Sequence, residues 1–313
     1  MTLLYFDPIY LEHDTGHHPE CARRLSDVWR HLSEDTTLAQ RCTHRECPAV
    51  GGETLTRNHD RQYVKAVEEF AAHGGGRLEA DTIVSPKSYD VALRAAGAAC
   101  DAVQRVVGGE DTNALCLVRP PGHHALADRA MGFCLFNNVA IAARSAITEL
   151  ELNRVLIVDW DVHHGNGTQA AFWEDGQVGF FSVHRWPFYP GTGHRSETGA
   201  GKGLGWTRNL PVEFGTSRLE YQRAFAKELS EFAEQVRPQL VIVSAGFDSH
   251  REDPIGSLGL EEEDFEELTT VVMDVAASHA EGRLVSVLEG GYNTAVLARC
   301  VGLHLTEMLP GDG

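Results

Sequence analysis

The chain has 313 residues, 42% of them hydrophobic and 23% charged; the length suits one large domain over 1–313, and the composition excludes a disordered or fibrous chain. Its 27 Lys+Arg against 45 Asp+Glu leave a formal charge of −18, which excludes a duplex-binding surface, since neutralising phosphates takes clustered cations. Sixteen histidines, many of them adjacent in pairs, point instead to metal ligation or proton transfer near neutral pH.

Residues 1–10 carry Asp7 and no basic stretch ahead of an apolar one, so no signal peptide is expected. No run approaches 18 apolar residues, which sets aside a spanning helix and a membrane partner. Seven cysteines without a Cys-x-x-Cys fit a reducing, cytoplasmic setting. In chain order, an early strand is expected at Leu3–Phe6, then amphipathic helices at Arg23–Leu32 and Arg61–Ala72. From about residue 90 helical patterns alternate with β-branched apolar runs. Helix Tyr89–Val107 leads to strand Ala114–Val118, and helix Asn138–Glu149 to strands Val155–Val158 and Val178–Val183. Helix Leu219–Val236, strand Leu240–Ser244, helix Glu261–Ala280, strand Leu284–Leu288 and helix Thr294–Leu309 complete the series. Such alternation predicts an α/β fold with a mainly parallel central sheet and helices on both faces. Leu240-Val241-Ile242-Val243 has no polar alternation, as expected of a strand buried on both sides.

In such a sheet a ligand site forms outside the carboxyl ends of the strands. Four strand ends here are followed by chemistry: Gly122-His123-His124, Asp159-Trp160-Asp161-Val162-His163-His164, Gly246-Phe247-Asp248 and Glu289-Gly290-Gly291-Tyr292. If the second strand persists, Asp159, Asp161 and His163 alternate onto one face. Asp161, His163 and Asp248 supply one nitrogen and two carboxylates, and a catalytic zinc typically takes three protein ligands and keeps one position for water or substrate. His123 and His124, in a Pro/Gly-bounded turn, suit the base that deprotonates a metal-bound water and the acid that serves a departing amine. Asp159 and Asn166 are candidate partners for those rings, and Tyr292, on a Gly-Gly turn, is a candidate donor to an oxyanion. Any one of these residues alone is more often a cap or a turn residue; the chemistry rests on their combination.

Several motifs resemble the histone deacetylase superfamily: Arg-Pro-Pro-Gly-His-His-Ala at 119–125, Gly-Phe-Cys-x-Phe-Asn-Asn at 132–138, Asp-Trp-Asp-Val-His-His-Gly-Asn-Gly-Thr at 159–168, Ser-Ala-Gly-Phe-Asp at 244–248 and Leu-Glu-Gly-Gly-Tyr at 288–292. The resemblance runs from Gly16 to the last helix. It implies the arginase/deacetylase fold and zinc-dependent hydrolysis of an N-acetyl amide. By position it makes Asp161, His163 and Asp248 the zinc ligands, His124 the general base and acid, His123 its electrostatic partner and Tyr292 the residue that polarises the acyl carbonyl. Phe133 and Tyr189 become aromatic walls of a narrow acyl-lysine tunnel, with Gly132, Gly291 and Ile255 also lining the substrate. A potassium site is implied at Asp159, Ser182 and Val183 with main-chain oxygens of Asp161 and His163, and a second, weaker one near Phe172, Asp175 and Val178. Asn166 and the Phe136-Asn137-Asn138 form resemble class II enzymes in a bacterial, single-domain format.

The related arginase branch holds two manganese ions through Asp-x-His-x-Asp and Asp-x-Asp, whereas Gly165 and His250 stand at the bridging positions here, so one metal is expected. No Gly-x-Ser-x-Gly or His-Glu-x-x-His is present. Cys42, His44 and Cys47 lack a fourth metal ligand at suitable spacing, and His13, His17 and His18 are read as a loop at the rim of the site. Acyl-lysine in a peptide or protein is favoured as substrate because Ile255, and not an acid, follows Asp253-Pro254. Acetylated polyamine is the alternative, a silent acyl-lysine-binding module is a third reading, and a homo-oligomer stays open.

Overall fold

The computed structural model describes residues 1–310, the side chain of Ala39 excepted. The elements in order are β1 (Thr2–Tyr5), α1 (Arg23–Glu34), α2 (Thr36–Arg41), β2 (Cys42–Arg45), α3 (Gly52–Leu55), α4 (Arg61–Ala72) and the strand pair β3 (Gly76–Arg77) and β4 (Ile83–Val84). Then come α5 (Ser88–Val107), β5 (Asn113–Cys116), α6 (Asn138–Thr148), β6 (Val155–Asp159), α7 (Asn166–Ala171), β7 (Val178–Arg185) and β8 (Thr207–Val212). The chain closes with α8 (Arg218–Val236), β9 (Leu240–Ala245), α9 (Glu262–His279), β10 (Leu284–Leu288) and α10 (Thr294–Met308).

Eight strands form one parallel sheet in the order β2-β1-β5-β10-β9-β6-β7-β8, and β3 and β4 make a small antiparallel pair apart from it. The first part of the chain builds one flank (β2, β1, β5), the next builds the other (β6, β7, β8), and β9 and β10 then fill the centre. Every residue of β5, β6, β9 and β10 is buried, as parallel strands covered by helices on both faces must be. Helices α5 and α6 cover one face, while α1, α8, α9 and α10 pack together over the other. These four central strands are the ones whose carboxyl ends carry the Asp, His and Tyr motifs, so strand order gathers the motifs at a single rim.

Helix ends follow local chemistry. Ser217 and Glu220 cap α8 reciprocally, and Glu261 and Asp264 do the same for α9, which opens on three acids as the helix dipole favours. Asp264 is buried and also accepts hydrogen bonds from Arg218 and Gln222 of α8, fastening the two helices. Among the described residues no helix is long and apolar enough to cross a membrane.

Two edge strands, β2 and β8, and the short helices α2, α3 and α7 lie outside the elements expected from periodicity. β2 is Cys-Thr-His-Arg and β8 contains Arg208, Asn209 and Pro211, and such polar or Pro-bearing runs are tolerated at a sheet edge where one side of the ladder is unpaired. Placement of Cys42 and His44 in β2 does not create a metal site: among the described residues Asp161, His163 and Asp248 are the one group arranged to hold an ion.

Candidate active site

Strand β6 ends at Asp159, so the expectation that its pleat alternates Asp159, Asp161 and His163 onto one face is corrected. The chain instead turns twice on its own carboxylates. Asp159 Oδ1 accepts the Asp161 amide at 3.1 Å and Asp161 Oδ1 accepts the His163 amide at 2.9 Å, the side-chain-to-backbone pattern of Asx turns. Asp248 arrives from the end of β9, and its Oδ1 accepts the Val162 amide at 2.9 Å. The ligand atoms of Asp161, His163 and Asp248 lie within 4.8 Å of one another, all three residues buried.

This triad fits a divalent cation. Asp248 Oδ2 is buried without a hydrogen-bond partner, 3.1 Å from His163 Nδ1. Burial and then the neighbouring Asp161 carboxylate push Asp248 up to about 7. Burial opposes charge on His163, yet the two carboxylates outweigh it and raise the imidazole to about 10. Two buried carboxylates that disfavour each other's charge, with an aromatic nitrogen between them, leave a negative excess that a cation neutralises. The positions that carry a second metal's carboxylates in the arginase branch are otherwise engaged. A side chain at Gly165 would collide with Asp159, and His250 Nε2 lies 3.2 Å from Glu262 Oε2.

His123 and His124, both 3% exposed, reach the same place from the loop after β5, their ring centroids 4.0 Å apart. His123 Nδ1 lies 2.9 Å from Asp159 Oδ2, and His124 Nδ1 lies 2.7 Å from Asn166 Oδ1 at the start of α7. The partners split the pair. Burial disfavours the charged form of both rings, but the Asp159 carboxylate holds His123 well above the ordinary imidazole value. His124 bonds to a neutral amide, and burial with the nearby His123 and His163 outweighs the pull of Asp161 and holds it well below.

The tandem-histidine turn is itself moored by Glu289 at the end of β10. Its Oε2 accepts the Gly122 and His123 amides at 2.7 and 3.2 Å and its Oε1 accepts the Ser244 hydroxyl at 3.1 Å. Burial raises this carboxyl to about 7. Arg24 of α1, fully buried, donates to the carbonyls of Glu289 and Gly291 and sits 5.0 Å from the ring of Tyr292.

Above the triad a channel of about 250 Å³ is lined by His124, Gly132, Phe133, His163 and Tyr292. Toward solvent its walls are Asp81, Phe188, Tyr189 and Ile255, the last two 37% exposed. Phe188 stacks on His163 at 5.2 Å, Tyr189 stands edge-on to His124 at 5.3 Å, and Phe133 meets Tyr292 edge-on at 5.6 Å. Gly132 allows the close approach of Phe133, since a side chain there would strike the His124 ring. Asp81 binds the Gly132 amide at 3.2 Å and the Tyr189 hydroxyl at 3.1 Å.

Thus the structure gathers His123, His124, Asp159, Asn166, Asp161, His163, Asp248 and Tyr292 at one place, with Gly132, Phe133, Tyr189 and Ile255 along the channel. Gly291 lies beneath, buried under Leu297 and Phe247. Ser182 and Val183 sit on β7, whose Ser182 pairs in register with Asp159 of β6; Ser182 Oγ is 2.9 Å from His184 Nδ1. Near Phe172 and Asp175 the guanidinium of Arg144 bonds to Asp175 and lies 4.5 Å over the Phe172 ring. The rim loop departs from expectation in part. His18 does flank the channel, edge-on to Phe133 at 4.6 Å, but His13 is buried, bonded to Ser88 Oγ at 2.6 Å and beside the Glu20 carboxylate that pairs with Arg119.

Asp81, Phe188, Glu289 and Arg24 were not singled out by sequence reasoning. Glu289 carries a usable signal, an acid directly after a wholly apolar strand, and Phe188 adjoins Tyr189 in an aromatic run. Asp81 and Arg24 carry none, because their partners lie 51 and 267 residues away.

Residues 18–308 match the histone deacetylase domain family, and the chain belongs to it, a family of deacetylases and related amidohydrolases. It is 37% identical to a histone deacetylase-like amidohydrolase of Pseudomonas aeruginosa over 99% of this chain and 86% of that one. It is 41% identical to the human polyamine deacetylase HDAC10 over 94% of this chain and 45% of that protein. The fold superposes on the crystal structure of the HDA15 HD domain with a TM-score of 0.93, covering 98% of this chain and 88% of that chain at 34% identity.

Proposed function

We propose that residues 1–313 form one zinc-dependent deacetylase domain that removes an acetyl or other short acyl group from acyl-lysine in peptides or proteins. The observation that carries the reading is the convergence of a buried Asp161-His163-Asp248 triad, His124 and Tyr292 at the floor of one aromatic-walled channel. Zinc held by the triad supplies Lewis acidity toward the acyl carbonyl and acidifies water. His124 keeps its Nδ1 proton on Asn166 Oδ1, which leaves Nε2 free to take a proton from the attacking water and to return it to the departing amine. His123, charged beside Asp159, holds positive potential next to the reacting centre. The Tyr292 hydroxyl donates to the oxyanion as it develops. Phe133, Phe188 and Tyr189 exclude water along a linear chain, with Gly132 giving the acyl group close backbone and Gly291 supporting Tyr292 from beneath.

Ile255 favours acyl-lysine, because it is apolar where an acid would meet the distant ammonium of a polyamine, and the rim carboxylate Asp81 is already engaged by the Gly132 amide and the Tyr189 hydroxyl; the similarity to a polyamine deacetylase keeps acetylpolyamine as the alternative. We place potassium at Asp159, Ser182 and Val183 with the main chain of Asp161 and His163. Seven free cysteines suit a cytoplasmic enzyme. The test is turnover of an N-acetyl-lysine peptide and N-acetylputrescine side by side by zinc-loaded protein, before and after a chelator. We expect faster hydrolysis of the peptide, loss with the chelator and recovery with zinc. Hydrolysis of neither compound would sink the enzyme reading.

A further inference from the structure

Tyr292 lies on a five-residue connection, Glu289 to Asn293, between β10 and α10, where neither ladder nor helix fixes its backbone. Gly291 before it has φ 121°, a conformation open to glycine and to few other residues. What holds this segment on its channel side is a carboxylate from another loop. Asp253, 9% exposed, accepts the Tyr292 amide on Oδ2 at 2.7 Å. Its other oxygen, Oδ1, accepts the amides of Ile255 and Gly256 at 2.9 and 3.0 Å and so folds the rim loop that carries Ile255. That loop is fixed at its far end as well: the Ser257 amide donates to the Asp248 carbonyl at 2.7 Å, and Arg185 donates to the Gly256 carbonyl at 3.1 Å while stacking on Phe188 at 4.3 Å.

We infer that Asp253 is a positioning residue for Tyr292: one carboxylate ties the backbone of the tyrosine to the rim loop and thereby sets where the phenol stands relative to the Asp161-His163-Asp248 triad. The inference rests on the role given to Tyr292 above. A buried N–H left facing a donor in place of an acceptor moves or strains its segment, and an oxyanion donor displaced by a fraction of an ångström loses much of its value. Asp253 makes no hydrogen bond to the triad, although its charge acts on Asp248 and its Oδ1 folds the loop of Ile255; a route through Tyr292 is told apart from these two by the dependence of the loss on the tyrosine hydroxyl, with zinc content and KM held.

The test is a double-mutant cycle on the metal-loaded enzyme with the N-acetyl-lysine peptide and N-acetylputrescine, using Asp253→Asn, Tyr292→Phe and both together. Asparagine keeps the shape but has one acceptor oxygen for two jobs. We expect kcat to fall about ten- to hundredfold in Asp253→Asn with KM changed less than about threefold and zinc near one per chain. On the Tyr292→Phe background the same change is expected to cost less than about threefold, because the hydroxyl it positions is already gone. Asp253→Ser, whose hydroxyl still folds the loop but is too short for the Tyr292 amide, is expected to repeat the result and serves if Asp253→Asn is not recovered folded. Unchanged kcat in Asp253→Asn, losses that multiply in the double variant, or loss of zinc would each overturn the inference. Full turnover in Tyr292→Phe alone would instead overturn the role assigned to the tyrosine.

Discussion

His123 and His124 are adjacent and share a turn, yet their partners set them in opposite protonation states, and this division is what makes one of them a base. The ring facing Asp159 keeps its proton; the ring facing the Asn166 amide gives it up. Replacing Asn166 by Asp puts an anion beside His124 and favours its imidazolium, so its pKa rises and less free base remains at a given acidic pH. The acid limb of the kcat profile is therefore expected to move to higher pH in Asn166→Asp, measured as log kcat against pH; a limb that stays in place would show that His124 is not the titrating base. Tyr292→Phe removes one oxyanion donor and no metal ligand. Turnover is expected to fall about 10²- to 10³-fold while zinc content stays near one per chain, and loss of zinc would show that the tyrosine has been misassigned.

At the scale of elements, the site depends on how closely the ends of β6, β9 and β10 approach. Gly290, just past β10, donates its amide to Asp161 Oδ2 at 2.8 Å, and a side chain there would run into the Oδ2 atoms of both Asp161 and Asp248. Gly290→Ala is expected to leave the far-ultraviolet circular dichroism intact and to lower zinc occupancy below about half under matched dialysis, because the clash falls on the ligands and not on the sheet. Full zinc binding by this variant would mean that the strand ends are not packed as closely as described. The inner strands were legible as apolar β-branched runs. β2 and β8 were not, since an edge strand pairs on one side and its sequence need not be apolar. The turn after β6 was misread for a related reason: alternation is the pattern of a strand, and Asx turns brought the same residues together by a different route.

For the whole molecule the histidine content has a cost in acid. His59, His184 and His304 are buried and hydrogen-bonded in the neutral form; burial lowers His59 and His184 to about 4 and His304 to about 3. An unfolded chain protonates these rings near pH ~6.5, so between there and pH ~4 the unfolded state binds more protons and stability falls as pH falls. His123, raised in the fold, is protonated in both states over most of that window and adds little to the slope. Glu289, raised to about 7, takes up a proton on folding there and offsets part of the loss. One pKa unit is ~1.4 kcal/mol, so even a fraction of the histidine shifts is large beside a domain stability of ~5–15 kcal/mol. The midpoint of thermal unfolding is expected to drop steeply from pH 6.5 to pH 4.5; a flat profile would mean that these histidines are not held neutral by burial.

The amino-acid sequence by itself determined the parallel α/β alternation, the four strand ends that carry chemistry and the identity of the triad, because these are written in contiguous stretches whose residue types are few and specific. Only the tertiary structure decided how the stretches meet. Arg24 reaching the Gly291 carbonyl, Asp81 bridging Gly132 and Tyr189, Glu289 holding the His123 turn and Asp253 holding Tyr292 are hydrogen bonds between distant segments. A buried polar group must find such a partner, but nothing local in the sequence says which one, and here strand order brings the partners within reach.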